Sequence, residues 1–315
     1  MGYYTLQVIG YILDCCFETS RPQKNIFKLL LFVIFFPQLT TGPISRYDDL
    51  KDIYEGHKFD YLRVTQGAQR IIFGLLKKLV ISERIAIITN IIYGDIHTYT
   101  GAYVWIAVLL YPLQMYTDFS GCMDIVIGTA ELFGIRLEEN FKLPFFSESS
   151  QEFWTRWHIS LGAWAKNFVL YPLLKSPAMI ALSGKTKKRF GKRLGKFIPT
   201  AISMFALWMV MGIWHGSYKF IVGVSLWYWL VLMLGEWFSP LFRRLGDRLK
   251  IDPEGCGLIL FRRIRTYLIY AVGAMFFRAD SVKTAFIMAS RAFKGSDVSK
   301  LNRSEERRVG KECRS

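Results

Sequence analysis

The chain has 315 residues and a formal net charge of +16, with 52% apolar residues, 16% aromatic residues and nine Trp. That apolar content excludes a disordered chain, and five Cys without a repeating spacing exclude a disulfide scaffold. The charge alone would suit nucleic acid, but charge and apolar residues are segregated along the chain, which argues against a soluble nucleic-acid binder. No Asp, Glu, Lys or Arg occurs in the 22 residues from Ile96 to Thr117 or in the 22 from Phe197 to Tyr218, and shorter free runs cover Leu29–Ser45, Phe220–Gly235 and Thr266–Phe277. Crossing a hydrocarbon layer of ~30 Å takes ~20 helical residues, so the pattern predicts an all-α, polytopic protein of the cell (cytoplasmic) membrane with basic connections.

In chain order, residues 3–16 read as a short apolar helix. The run from Leu29 is broken at Pro37, Gly42 and Pro43, and broken backbone at membrane depth is tolerated when it is buried in protein or lines a cavity. Residues 46–66 read as polar and interfacial. Residues 67–93 read as a helix interrupted by Lys77, Lys78 and Arg84, amphipathic or facing a wet cavity. A span over 101–117 precedes Asp118 in TDFSG, where the carboxylate reads as the N-cap of a second helix over 122–134. Residues 151–172 read as an amphipathic, Trp-rich helix. Residues 175–196 carry eight Lys or Arg and no acid, and read as a basic loop. Residues 197–216 and 218–238 form a hairpin, and by the positive-inside rule both of its outer ends are cytoplasmic.

Both ends depart from the rest. Tyr3–Leu13 is apolar with no basic segment or cleavage site before it, so it reads as a helix entered partway, with N-terminal helices missing, rather than as a signal peptide. Residues 303–315 (RSEERRVGKECRS) resemble translated sequencing-adapter sequence and are set aside as a non-native tail, which leaves residues 1–302 as a partial transmembrane domain. Cys15, Cys16, Cys122 and Cys256 lie in apolar stretches and read as small buried hydrophobes.

Chemistry rests on few residues. His57 and His97 sit in polar, turn-like surroundings and read as surface side chains. His215 follows an uninterrupted apolar helix and precedes Gly216. An ionisable group at such depth marks a functional site by default: a neutral imidazole accepts a proton from a hydroxyl, and Gly216 admits a substrate close to the backbone. The other reading is a hydrogen-bonded structural histidine beside the interfacial Trp214. His158 lies in FWTRWHISLGAW, where helical spacing groups Trp154, Trp157, His158 and Leu161 on one face, with Arg156 and Lys166 elsewhere. An interfacial aromatic belt with an amphipathic histidine is the reading that the local sequence favours for that face. Asp118 or Asp124 would orient a histidine if folding brought them together. No metal-ligand spacing, nucleotide loop or serine elbow occurs.

Five ordered stretches, YYTLQVIGYILD at 3–14, FFPQLTTGPISRY at 35–47, MYTDFSGCMDIVIGTAELFGIRLEENFKLPF at 115–145, FWTRWHISLGAWAKNFVLYPL at 153–173 and MGIWHG at 211–216, resemble the membrane-bound O-acyltransferase family, most closely its alginate O-acetylase branch. The resemblance implies transmembrane helices, some broken or re-entrant, around a central tunnel. It also implies acyl transfer onto a hydroxyl, with the family's essential histidine at His215 and a second at His158. Trp214, Gly216, Asp118, Trp157 and Arg156 are the accompanying candidates for lining the tunnel. The expected donor is a cytoplasmic thioester, acetyl-CoA or an acyl carrier, used as co-substrate with no bound cofactor and no metal. The expected acceptor is an extracytoplasmic polysaccharide. Expected partners are the lipid bilayer and an esterase-like acetyl carrier or an acyl carrier protein, and no nucleic acid. D-alanyl transfer toward teichoic acid is the alternative within the family, and a transporter or flippase the alternative outside it.

Overall fold

The computed structural model describes residues 2–39 and 41–295, so the segment 303–315 lies outside the described residues. Helices dominate. Among the described residues the β pairing is a single antiparallel bridge, between Phe141 and Trp157.

Helix α1 spans Tyr3–Cys16. Helix α2, Ile26–Val33, starts at Asn25, whose side chain accepts from the backbone N–H groups of Phe27 and Lys28. It gives way to a 3₁₀ turn at Phe36–Gln38 containing Pro37, so the break expected in this run is present. The broken segment is satisfied by protein. Gln7 donates to Gln38 Oε1 at 3.0 Å, Gln38 donates to Ser45 Oγ at 3.0 Å, and the Ile44 N–H reaches Ser160 Oγ at 3.0 Å.

Helix α3 (Tyr61–Leu75), capped by Asp60, runs through a π segment at Leu76–Ser82 into α4 (Glu83–Gly94). Helix α5 is continuous from Ala102 to Leu132. This corrects the expectation of two helices split at Asp118. Asp118 sits inside the helix, and its carboxylate is held 2.5 Å from Lys78 Nζ instead of capping a backbone N–H. Asp124 likewise takes Lys77 at 2.6 Å and Arg70 at 3.1 Å, and Arg70 also grips Glu139 with two bonds of 2.6 Å. Lys77 and Lys78 therefore pair with carboxylates of α5. Two glycine pairs bring α3 and α5 into backbone contact. A Cβ on Gly67 would meet Gly128 O at 2.7 Å, and one on Gly74 would meet Gly121 O at 2.6 Å; the reciprocal contacts are equally close. In apolar surroundings such small-residue seams let backbones approach where a larger side chain would hold them apart.

Helix α6 (Ser150–Arg156) is capped by Ser149, and α7 (Ile159–Ala165) follows after a break. A π segment, Lys166–Leu170, leads into α8 (Tyr171–Lys175). Helix α9 (Pro177–Trp214) is capped by Ser176 and kinked at Gly191, whose φ of +85° suits glycine alone. The basic stretch at 175–196 is thus almost wholly helical, a correction to the loop expected from its charge. It folds back on itself across Gly191, with Ser183 Oγ donating to Gly195 O at 2.8 Å. After the turn at 215–217 come α10 (Tyr218–Phe220), a π segment at Ile221–Leu226, and α11 (Trp227–Arg248). Helices α12 (Cys256–Arg278) and α13 (Val282–Ala292) follow.

Two helical segments among the described residues, Pro177–Trp214 and Tyr218–Arg248, are long and apolar enough to cross a membrane. They are the two arms of the expected hairpin; α5 is not in that class. Many large apolar side chains stand on the outside, Phe27 at 78% and Ile26 at 66% exposure among them. The same inversion corrects the cysteines: Cys16 and Cys256 are exposed and Cys15 and Cys122 half-buried, because apolar residues here cover outer helix faces as well as the core.

Candidate active site

A cavity of about 540 Å³ lies among α5, α6, α7, α9, α11 and α12. Its α9 wall is one helical stripe, Met204, Leu207, Trp208, Met211, Trp214 and His215, the i, i+3, i+4, i+7 spacing of a single face. Helix α5 contributes Met115, Asp118 and Phe119, and α12 contributes Tyr270 and Ala274. Tyr228 and Tyr270 are locked to each other, the Tyr228 hydroxyl donating to Tyr270 O at 3.0 Å.

Both candidate histidines border this cavity. Trp214 packs edge-on against His215 at 4.7 Å between ring centroids, and Phe277 does the same at 5.0 Å. The Tyr3 ring stands between the two sites, 6.2 Å from His158 and 5.8 Å from Trp214. Tyr3 escapes sequence reasoning, because nothing in an apolar helix at residue 3 points to a partner more than 150 positions away.

His158 does not lie on a helix face. Helix α6 ends before it, α7 begins after it, and His158 itself takes φ +47°, ψ +55°. Trp154, Trp157, His158 and Leu161 still converge on the cavity, through a broken chain instead of the expected helical stripe. Lys166, expected elsewhere, also lines it. Arg156 is not among the lining residues; it pairs with Glu152 one turn back at 2.6 Å. Gly216, with φ +86°, sits in the exposed turn just outside. Asp118 is at the cavity edge, bound to Lys78, so neither it nor Asp124 orients a histidine.

The residue that does so is Asn140, fully buried. Its backbone carbonyl accepts from the Ile159 N–H at 3.1 Å, and its Oδ1 accepts from Ser160 N at 3.0 Å and Ser160 Oγ at 3.1 Å. His158 Nδ1 lies 3.3 Å from that same oxygen. Because Oδ1 is an acceptor, Nδ1 carries the hydrogen and Nε2 keeps its lone pair. Nε2 is buried with no hydrogen-bond partner among the described residues, as a proton-accepting group open to a ligand would be. The signal for Asn140 in the sequence was ENF at 139–141, visible only as part of a resemblance.

Asn140→Ala would leave the Ser160 N–H and His158 Nδ1–H without their acceptor. The expected cost is about 2 kcal/mol or more of stability, read as a lower melting temperature.

Sequence comparison gives the chain a family. Residues 20–182 match the profile of the membrane-bound O-acyltransferase family. The chain is 30% identical over 307 residues to the probable alginate O-acetylase AlgI of Pseudomonas putida, covering 97% of this chain and 57% of the relative. It is 29% identical over 229 residues to the teichoic acid D-alanyltransferase of Bacillus subtilis, covering 69% and 53%. It is 27% identical over 244 residues to the peptidoglycan O-acetyltransferase of Helicobacter pylori, covering 69% and 43%. The chain spans about half the length of the curated relatives it matches. With the family profile covering more than half of its residues, the chain belongs to the membrane-bound O-acyltransferase family.

Proposed function

We propose that this protein is a multi-pass O-acyltransferase of the cytoplasmic membrane that moves an acyl group, acetyl in the first instance, from a cytoplasmic thioester to hydroxyls of an extracytoplasmic polysaccharide. The carrying observation is the convergence of His158 and His215 on one cavity at the end of the apolar hairpin arm α9. The basic residues from Lys185 to Lys196 and the segment 242–250 lie toward the ends of the two hairpin arms remote in chain order from His215. By the positive-inside rule they face the cytoplasm, where thioester donors reside. His215 is then reached by a donor from one side and an acceptor from the other.

In the reaction, the acceptor hydroxyl oxygen bonds to the thioester carbonyl carbon while His215 takes the hydroxyl proton. The tetrahedral intermediate collapses, the C–S bond breaks, and the proton passes to the departing thiolate. The products are an ester and a thiol. A positioned general base of this kind typically contributes 10²–10⁴-fold. His158 has a lone pair at Nε2 rather than a hydrogen, so it accepts from a neighbouring hydroxyl of the acceptor and holds the glycan.

Likeness to both an O-acetylase and a D-alanyltransferase supports acyl transfer and leaves D-alanyl as the second reading of the group carried. The test is transfer of radiolabelled acetyl from acetyl-CoA, or from an acetylated acyl carrier protein, to polysaccharide by the intact purified protein. Label appearing in base-labile ester on the glycan is the expected result. Label carried across a vesicle membrane without ester formation would mean a transporter instead.

A further inference from the structure

The cavity contains two polar groups that the reaction above leaves unused. Trp208 and Trp214 both line it, and the indole nitrogen of each is buried with no hydrogen-bond partner among the described residues. Trp208 is only 3% exposed. Two half-buried indoles nearby are bonded within the protein: Trp227 donates to Ile269 O and Trp229 to Ala201 O, each at 2.9 Å. Leaving a buried donor unpaired costs about 1–3 kcal/mol, so two on one cavity wall mark places where a ligand supplies acceptors.

Their placement defines that ligand. Both lie on the α9 stripe, six residues apart, which is about 9 Å along the axis. Trp214 adjoins His215, and Trp208 lies further toward the basic end. The stripe from Met204 to His215 is about 16 Å long and mostly apolar. An elongated chain with carbonyl oxygens at intervals and thin apolar stretches between them fits this wall. A thioester on a pantetheine arm has that chemistry, with one thioester carbonyl at its tip and two amide carbonyls behind it. The arm is shared by coenzyme A and by acyl carrier proteins.

Resting on the thioester-donor reading above, we propose that Trp214 is a further catalytic residue, donating its indole N–H to the thioester carbonyl oxygen, and that Trp208 donates to an amide carbonyl of the arm. In the attack step, electrons of the carbonyl move onto its oxygen, where the Trp214 N–H meets the growing charge. Collapse restores the C=O and expels the thiolate. Trp208 holds the arm equally before and during reaction.

The experiment measures dissociation constants on the intact protein in detergent, with no acceptor present. The probes are CoA and acetyl-CoA in one arm, and holo and acetylated acyl carrier protein in the other. Trp208→Phe should weaken the unacetylated and acetylated probes alike, by roughly three- to tenfold, the loss of one neutral hydrogen bond. Trp214→Phe should weaken only the acetylated probe, and its unchanged hold on the bare thiol shows the protein folded. Trp229→Phe, which removes an indole already bonded within the protein, should change neither; a loss there equal to that of Trp208→Phe would reduce the Trp208 effect to packing and overturn its assignment. Variants of Trp208 and Trp214 binding every probe like the wild type would overturn the inference and leave the thioester donor standing. A wild-type protein that binds neither pair of probes would overturn the donor reading itself.

Discussion

Replacing His215 with alanine should abolish glycan acylation, a fall of at least 10²–10⁴-fold, while the amount of protein in the membrane stays unchanged. The ring lies beside a turn, half-buried, and touches Trp214, Phe220 and Phe277 through aromatic faces. Alanine at this position removes edge contacts at the rim of a cavity and does not empty a closed core. Abundance by immunoblot and ester content of the polysaccharide, measured in the same cells, separate the two effects. Acylation retained at the wild-type level would exclude His215 as the base. On the proposed reaction, His158→Ala should cost less but still heavily, losing the contact that holds the glycan and keeping the base.

The second large effect is structural. Gly74→Leu places a branched side chain where even a Cβ would stand 2.6 Å from the Gly121 carbonyl oxygen. Helices α3 and α5 cannot keep their separation. Overpacking of this kind costs typically 1–3 kcal/mol, and here parting the helices also strips Asp124 of Arg70 and Lys77, whose contacts span the same seam. The expected result is loss of folded protein, read as reduced yield of monodisperse material and a lowered melting temperature in detergent. Gly94→Leu, where none of the described residues comes within 4 Å, is the matched control and should be tolerated. Because α5 also presents Met115, Asp118 and Phe119 to the cavity, any folded fraction of Gly74→Leu should lose activity as well.

Much of the site was legible because it rests on local pattern. The hairpin of α9 and α11 follows from two charge-free runs flanked by basic residues, and His215 stands out because an ionisable group closes one of them. The break at Pro37 follows from the residues that cannot continue a helix. What was illegible depends on distant partners. Asp118 resembled a cap because its counter-ion, Lys78, is 40 residues away. The basic stretch resembled a loop because its helical hairpin has no apolar period, and Gly191 alone marks the fold-back. Asn140 is 18 residues from the histidine it orients, across irregular backbone that no periodicity describes. The break at His158 was hidden by a segment whose spacing fits an unbroken helix equally well.

The left-handed backbone of His158 has a consequence for how this protein can change. That conformation costs an ordinary L-residue roughly 1–2 kcal/mol, but glycine adopts it freely, and asparagine, aspartate and histidine are the side chains most enriched in it. At position 158 histidine therefore suits the chain as well as the chemistry. Glycine there would relieve the backbone but empty a buried site and remove a bond to Asn140. Libraries selected for thermal robustness and libraries selected for acylated glycan should both hold histidine.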